Sequence, residues 1–292
     1  MSATISPVGR DKLKSAVAVL WMLRWDLLAG VIVAVAMMWL SDKIPFASVA
    51  PVVPLMGVVV SIFIGFRNSS AYNRWWEART LWGTLVANSR AIGNALVAVD
   101  NCTPEMAACI DRMRRRQVRY AWQLAAELRG SVPGPEVAAL TPEDPPDAAA
   151  RELLTAQSIE IRDMANKDWI DRQGRTLLVN LLTAQAAAAA GLERIRSQPI
   201  PWPYASFIRV VAWFFAIMVC TRLEVAGHDS GIGIVVSILI MAMFVVAERL
   251  GAFIEKPMAD TPFGLQMDRF CTTIGTDLLA AADKLPSSKN DR

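Results

Sequence analysis

Three apolar side chains, Val58, Ile62 and Phe66, stand four residues apart in a stretch without a single charge. On an α-helix, residues at i, i+4 and i+8 share one face, and the physical chemistry open to a row of hydrocarbon groups is control over water. Copies of such a helix around an axis would stack three apolar rings that gate by drying and wetting. The same spacing also describes ordinary helix packing or lipid contact. Gly57 and Gly65, beside the stripe, would let neighbouring helices approach closely, as small residues do in membranes.

Groups suited to covalent or acid–base chemistry are scarce. The one histidine, His228, sits beside Asp229 in a polar loop, where a solvated role is the ordinary reading. No Ser-His-Asp or Cys-His set can be built around it, and glycine-rich phosphate loops are missing. Carboxylates and arginines gather at Arg74, Glu77 and Arg79, and again at Glu193, Arg194 and Arg196. Ion pairing between packed helices explains both groups better than catalysis does. Cys102, Cys109, Cys220 and Cys271 have no CxxC spacing and read as reduced structural thiols. No enzyme, resident metal or cofactor is expected. A net charge of +3, with basic residues scattered, gives no basis for nucleic-acid binding.

The elements that must carry the stripe belong to a membrane. Of 292 residues, 54% are hydrophobic and 20% charged, against about 25% charged in soluble domains. Residues 44–66, the 23 positions between Lys43 and Arg67, hold no charge, and a helical span needs about 20. Past Arg67 come Arg74, Glu77 and Arg79, which cannot face lipid, yet no proline interrupts the stretch from Leu55 to Asn94. One helix is therefore expected to leave the bilayer and continue on its aqueous side. Pro51 and Pro54 mark its start, where unpaired amides tolerate proline.

Apolar runs at 27–40, 207–220 and 232–247 supply three more spans. No cleavable signal peptide is expected, since Arg24 and Asp26 interrupt any early apolar core. Between the second and third spans lies a polar block. In it, Thr103-Pro104-Glu105 predicts a capped helix start and Gly130 its end. Residues 131–150 are proline-rich, a loop around a short helix. Two further helices are predicted at 150–170 and 174–196, divided at Gly174, and PIPWPY (199–204) should stop helicity. Beyond the fourth span, the same periodicity should carry an amphipathic helix to Lys256-Pro257, followed by a loop and one short helix. Four spans place both termini on one side. The basic residues from Arg10 to Arg24, with Arg67, Arg74 and Arg249, make that side cytoplasmic.

Three segments carry a family resemblance: IGFRNSSAYNRWWEARTLWGTLVANSRAIGN (64–94), ERIRSQPIPWPY (193–204) and AERLGAFIEKPMADTPFG (247–264). They resemble the bacterial bestrophins, homologues of the animal calcium-activated chloride channels, from the first span to about residue 280. The matching motif residues are Gly65, Arg67, Asn68, Arg74, Trp75, Trp76, Glu77, Glu193, Arg194, Pro199 and Pro201. The resemblance implies a homopentamer with a central pore, and it places the family's apolar neck on Val58, Ile62 and Phe66. It also implies a second constriction, a cytoplasmic aperture near Thr176 or Leu177. Arg175 beside it would favour anions as a ring, although a solvated arginine at a helix start is an equal reading. One departure is plain. Animal members hold calcium with an acidic run, whereas this chain has Glu255-Lys256-Pro257-Met258-Ala259-Asp260, too few carboxylates for a cation wanting six to eight oxygens. Because the family includes anion-passing and cation-passing members, resemblance alone leaves the ion open.

The expectation is an all-α membrane protein forming a single bestrophin-like channel domain over 1–292. Spans are placed at about 25–42, 48–70, 207–226 and 231–250, with a helical cytoplasmic region at about 71–205 and 251–292. Its function would be a homopentameric channel of the bacterial inner membrane passing monovalent ions, chloride before others. The alternatives are a sodium or potassium channel of the same fold and a non-conducting membrane scaffold or sensor.

Overall fold

The computed structural model describes residues 21–33, 35–36, 52–226 and 231–279, and the side chains of these except at 220–226, 231–234 and 237. His228, Asp229 and the Cys220 side chain fall outside the described residues. All regular structure among the described residues is helical. Helix α1 covers 21–33; then follow α2 (Val52–Ala98), α3 (Pro104–Arg129), α4 (Pro135–Ala138), α5 (Ala150–Asn166), α6 (Arg172–Ser197), α7 (Trp202–Ala226), α8 (Gly231–Ile254) and α9 (Met267–Leu278). The chain divides into two compact units, and α2 gives its residues up to Trp75 to the first and those from Trp76 to the second.

The first unit comprises 1–75, 199–257 and 261–264. An apolar cluster forms its core: Val53, Val60 and Ile64 of α2 meet Ile208, Ala212, Phe215 and Val219 of α7, with Ile240 and Phe244 of α8 against them. Phe215 and Phe244 pack edge to face, centroids 4.8 Å apart, and Phe63 and Phe207 do the same at 5.8 Å. Gly57 lies so close to Phe215 that a Cβ there would stand 3.0 Å from the ring, whereas Gly65 faces open space. The close approach anticipated for both glycines thus occurs within the chain at Gly57 alone.

The second unit comprises 76–198, 258–260 and 265–292. Met106, Cys109, Ile110 and Met113 of α3, Ile161 and Met164 of α5, Leu178 and Leu182 of α6, and Ile92 and Leu96 of α2 form its core. Helix α3 starts and ends as its sequence predicts. The Thr103 hydroxyl accepts from the Met106 amide, Pro104 occupies the first turn, and Gly130 adopts φ 74° to close the C-terminus. Through the middle runs a fully buried polar chain. Gln157 donates to Gln117, Gln117 donates to the Ser89 hydroxyl, and Gln185 donates to the same oxygen from the other side.

Two predicted boundaries move. The division between α5 and α6 falls at 167–171, not at Gly174. Asp168 turns the chain with φ 54°, a conformation that Asp tolerates better than most residues, and the Asp171 carboxylate caps α6 by accepting from the Gly174 amide at 2.7 Å. Gly174 therefore sits inside the first turn. The third apolar helix begins at Trp202 rather than 207, because Pro203 falls in its first turn, where a missing N–H costs nothing. Only residues 198–201 remain as the stop between α6 and α7. Helices α2 and α6 and the Trp202–Val219 part of α7 are long and apolar enough to cross a membrane. For α6 that apolarity serves internal packing: Leu178, Leu182, Gln185, Ala188, Ala189 and Leu192 are buried within the second unit.

Candidate pore neck and aperture

Helix α2 sorts its residues by direction. Val60 and Ile64, 1% and 5% exposed, turn into the core, while Val58, Ile62 and Phe66 are 58%, 51% and 65% exposed. A 100° step per residue separates the two sets, and a four-residue spacing puts successive members of the outward stripe about 6 Å apart along the axis. Ser61 donates its hydroxyl to the Gly57 carbonyl at 2.7 Å, so it adds no free donor to the stripe. Among the described residues, the chain presents here an exposed apolar row.

One residue beyond Phe66 the helix turns ionic, and inward. Arg67, 3% exposed, pairs with Glu248 of α8, 2% exposed, and its other terminal nitrogen lies 3.6 Å from Glu255. Asn68 donates to the Ala247 carbonyl at 3.1 Å. Gly251 makes that approach possible, since a Cβ there would collide with the Asn68 amide oxygen at 2.0 Å. Trp75 donates its indole N–H to the Phe263 carbonyl at 3.0 Å and stacks on Tyr72. Helix α1 joins the same ionic set through Asp26, which pairs with Arg249 of α8 and, at 3.3 Å, with Arg209 of α7. A buried charge in an apolar surrounding must find a partner, and here α1 contributes Asp26, α2 Arg67 and α8 both Glu248 and Arg249, with the more exposed Arg209 of α7 joining at Asp26.

Among the other motif residues, one ion pair joins two helices. In the second unit Arg194 pairs with Glu77 at the surface, and the Arg79 guanidinium stands 5.7 Å from the Trp76 ring. Glu193 is exposed one residue before Arg194. Pro199 and Pro201 occupy the link before α7, where the Pro201 carbonyl accepts from the Tyr204 and Ala205 amides. Arg74 is half-buried. The sequence did not pair Arg67 with any residue. The available signal was Glu248, an acid directly after the apolar run 232–247, where an ionisable group demands a partner.

At the proposed aperture, Arg175, Thr176 and Leu177 form part of the first turns of α6 and all three are exposed. Thr176 donates its hydroxyl to the Arg172 carbonyl at 2.9 Å, and Leu178 beside them is buried. Glu255, the acid nearest the animal calcium motif, is turned toward Arg67. Cys102, Cys109 and Cys271 are free thiols.

The family model described as "Bacterial/Fungal Bestrophin protein" matches residues 13–280. The "Voltage-dependent anion channel-forming protein YneE" of Escherichia coli K12 is 31% identical over 281 residues, covering 92% of this chain and 84% of that protein. A Salmonella typhi protein of the same name is 28% identical over 278 residues, with the same coverage. The crystal structure of a bacterial bestrophin homolog from Klebsiella pneumoniae superposes with a TM-score of 0.78, at 24% identity, over 88% of this chain and 97% of that one. The long α2 with its outward apolar stripe, the Arg-Asn and Arg-Trp-Trp-Glu anchors and these matches converge: the chain belongs to the bestrophin family of bacteria and fungi.

Proposed function

We propose that this chain is the subunit of a homopentameric channel of the bacterial inner membrane, with both termini cytoplasmic, that passes monovalent anions such as chloride. The single observation that carries the reading is the exposed row of Val58, Ile62 and Phe66 on a helix long enough to cross a bilayer. Turned toward a shared axis, the row forms three stacked rings narrow and apolar enough to gate by dewetting. Apolar rings coordinate no ion, so they favour a weakly hydrated one once wet. The names of the E. coli and Salmonella relatives support the anion. Arg175, Thr176 and Leu177 would form the second constriction. The lipid bilayer and permeant ions are the remaining partners, and no catalytic step is assigned.

A monovalent cation pore is the second reading. The hydroxyls of Thr80, Thr84 and Thr176 all donate back to helix carbonyls four residues earlier, so their outward faces present lone pairs.

Purified protein in a planar bilayer under a KCl gradient tests both. A reversal potential near the chloride equilibrium value, with conductance raised in Ile62→Ala and Phe66→Ala by a wider and wetter neck, is the expected result. Reversal near the potassium value would transfer the reading to a cation pore. Unchanged currents in both neck variants would remove the neck assignment, and no current from any form would leave a scaffold or sensor.

A further inference from the structure

The outward face of α2 does not end at Phe66. Taking 100° per residue, Ser69 and Asn73 fall within about 20° of the middle of the Val58–Ile62–Phe66 stripe, one and two turns further along. Both are exposed, and both lie in the first unit with the neck. Their inward neighbours, Arg67 and Asn68, are engaged with Glu248 and the Ala247 carbonyl, so the helix separates anchoring groups from outward ones residue by residue.

The hydrogen-bonding state of these two side chains differs from that of four hydroxyls elsewhere on the helix. Ser61, Thr80, Thr84 and Ser89 each donate the hydroxyl hydrogen to the carbonyl four residues back. Ser69 and Asn73 donate to no other described group. Beyond the apolar neck, they are the first groups on the stripe with N–H and O–H hydrogens left to give.

We infer that Ser69 and Asn73 form an anion-binding collar directly beyond the neck, a site for a partly dehydrated monovalent anion of the halide or nitrate class. The inference rests on the channel reading above. An ion crossing three apolar rings arrives short of water, and a donor aimed at an anion forms a charge-assisted bond about twice as strong as a neutral one. Five copies of a hydroxyl and a primary amide can replace several lost waters. Because the donors are uncharged, the ion is held and released quickly, as conduction requires. A ring of arginines would bind more tightly and pass ions more slowly. Discrimination against cations therefore begins at Asn73.

Bi-ionic reversal potentials in planar bilayers test this, giving the permeability of chloride and nitrate relative to potassium. Asn73→Leu keeps the side-chain volume and removes the donors, and it should lower chloride over potassium about three- to tenfold, the worth of one net hydrogen bond. Asn73→Gln keeps an amide and should keep the ratio. Ser69→Ala should lower it by less, and it stands in should Asn73→Leu fail to assemble. A wild-type ratio in Asn73→Leu, or in Ser69→Ala where only that variant assembles, overturns the collar. Phe66→Ala in the same membranes separates the two readings. A changed conductance there beside an unchanged ratio removes the collar and leaves the channel, whereas a wild type that passes cations or no current removes both.

Discussion

The two units of this chain pair arginines in different ways. In the first unit the charges alternate along a chain, Arg209, Asp26, Arg249, Glu248, Arg67 and Glu255, and the closest contacts join different helices: α7 to α1, α1 to α8, α8 to α2. In the second unit the buried arginines, Arg116 and Arg119, lie on one helix, α3, with the half-buried Arg112 a turn before them. Arg112 and Arg116 of α3 reach Glu160 of α5 and Asp144 of the loop after α4, both in two-pronged geometry with contacts of 2.6–2.9 Å. Arg119, fully buried, has no carboxylate partner among the described residues and donates to the Thr141 hydroxyl and to carbonyls of residues 138–145. The difference follows from the solvent. A helix in lipid gains nothing by turning leucine from acyl chains to protein, so association depends on packing and on polar pairs. A helix in water gains about 25 cal/mol for each Å² of apolar surface it buries, and the second unit already has such a core. Its ion pairs refine an assembly that apolar burial drives, whereas those of the first unit choose which helices meet.

The sharpest way to break this contrast is to remove one charge from the first network. Arg67→Met takes from buried Glu248 its close cation, leaving only Arg249 at 3.9 Å, and takes from Glu255 its 3.6 Å partner, which costs about 3–5 kcal/mol. Thermal unfolding of the detergent-solubilised protein should show a large drop in midpoint. Arg67→Met with Glu248→Gln should recover part of it, because the more deeply buried carboxylate is then neutral and only Glu255 is left without Arg67. A single variant as stable as the wild type would mean that the pair does not specify the helix contact. A double variant no better than the single would mean that the ion pair is worth more than the charge left behind.

That network also marks where sequence reasoning stopped. The continuity of α2 was legible, because 23 uncharged residues ran into an amphipathic stretch with no proline. The outward direction of Val58, Ile62 and Phe66 was legible only as a shared face, since periodicity cannot say which face meets a core. Val60 and Ile64 settle that by burying the opposite side. Arg67 read as the end of a membrane run, and its partners lie 181 and 188 positions away, a distance over which no local rule pairs residues. The start of α6 was misplaced for a local reason. Glycine draws attention as a helix breaker, but the actual turn uses Asp168 at positive φ and Asp171 as cap.

Acid sharpens the same comparison from the second unit. Burial raises the pKa of both Asp144 and Glu160. The two-pronged bonds from Arg116 to Asp144 and from Arg112 to Glu160, with the arginine charges, outweigh it and hold both carboxyls below their usual range. A depressed carboxylate pKa stabilises the fold in full above the unfolded value of about 4 and loses that stabilisation as pH falls through the lower folded value. Unfolding midpoints should therefore hold steady from neutral pH down to about 5 and fall below about 4. Asp144→Asn should lower stability at neutral pH by about 1–3 kcal/mol and shallow the acid limb. An acid limb with wild-type slope in Asp144→Asn would place the titrating groups elsewhere.

The smallest expected effect reports on the second network from inside. The Cys109 thiol donates to Glu160 at 3.2 Å, and burial, the hydrogen bond to Glu160 and that carboxylate's charge push its pKa up to about 11. At pH 8 only about one molecule in a thousand carries the reactive thiolate. Cys102 is exposed in the link between α2 and α3. Maleimide labelling followed by peptide mapping should find Cys102 modified within minutes and Cys109 untouched until the protein is denatured. Glu160→Gln removes the negative charge and should quicken labelling of Cys109 while leaving Cys102 as it was. Equal rates at the two cysteines in the wild type would mean that the Arg112–Glu160 pair opens freely to water. The second network would then be a surface feature, and the contrast with the closed chain of charges around Arg67 would be one of burial alone.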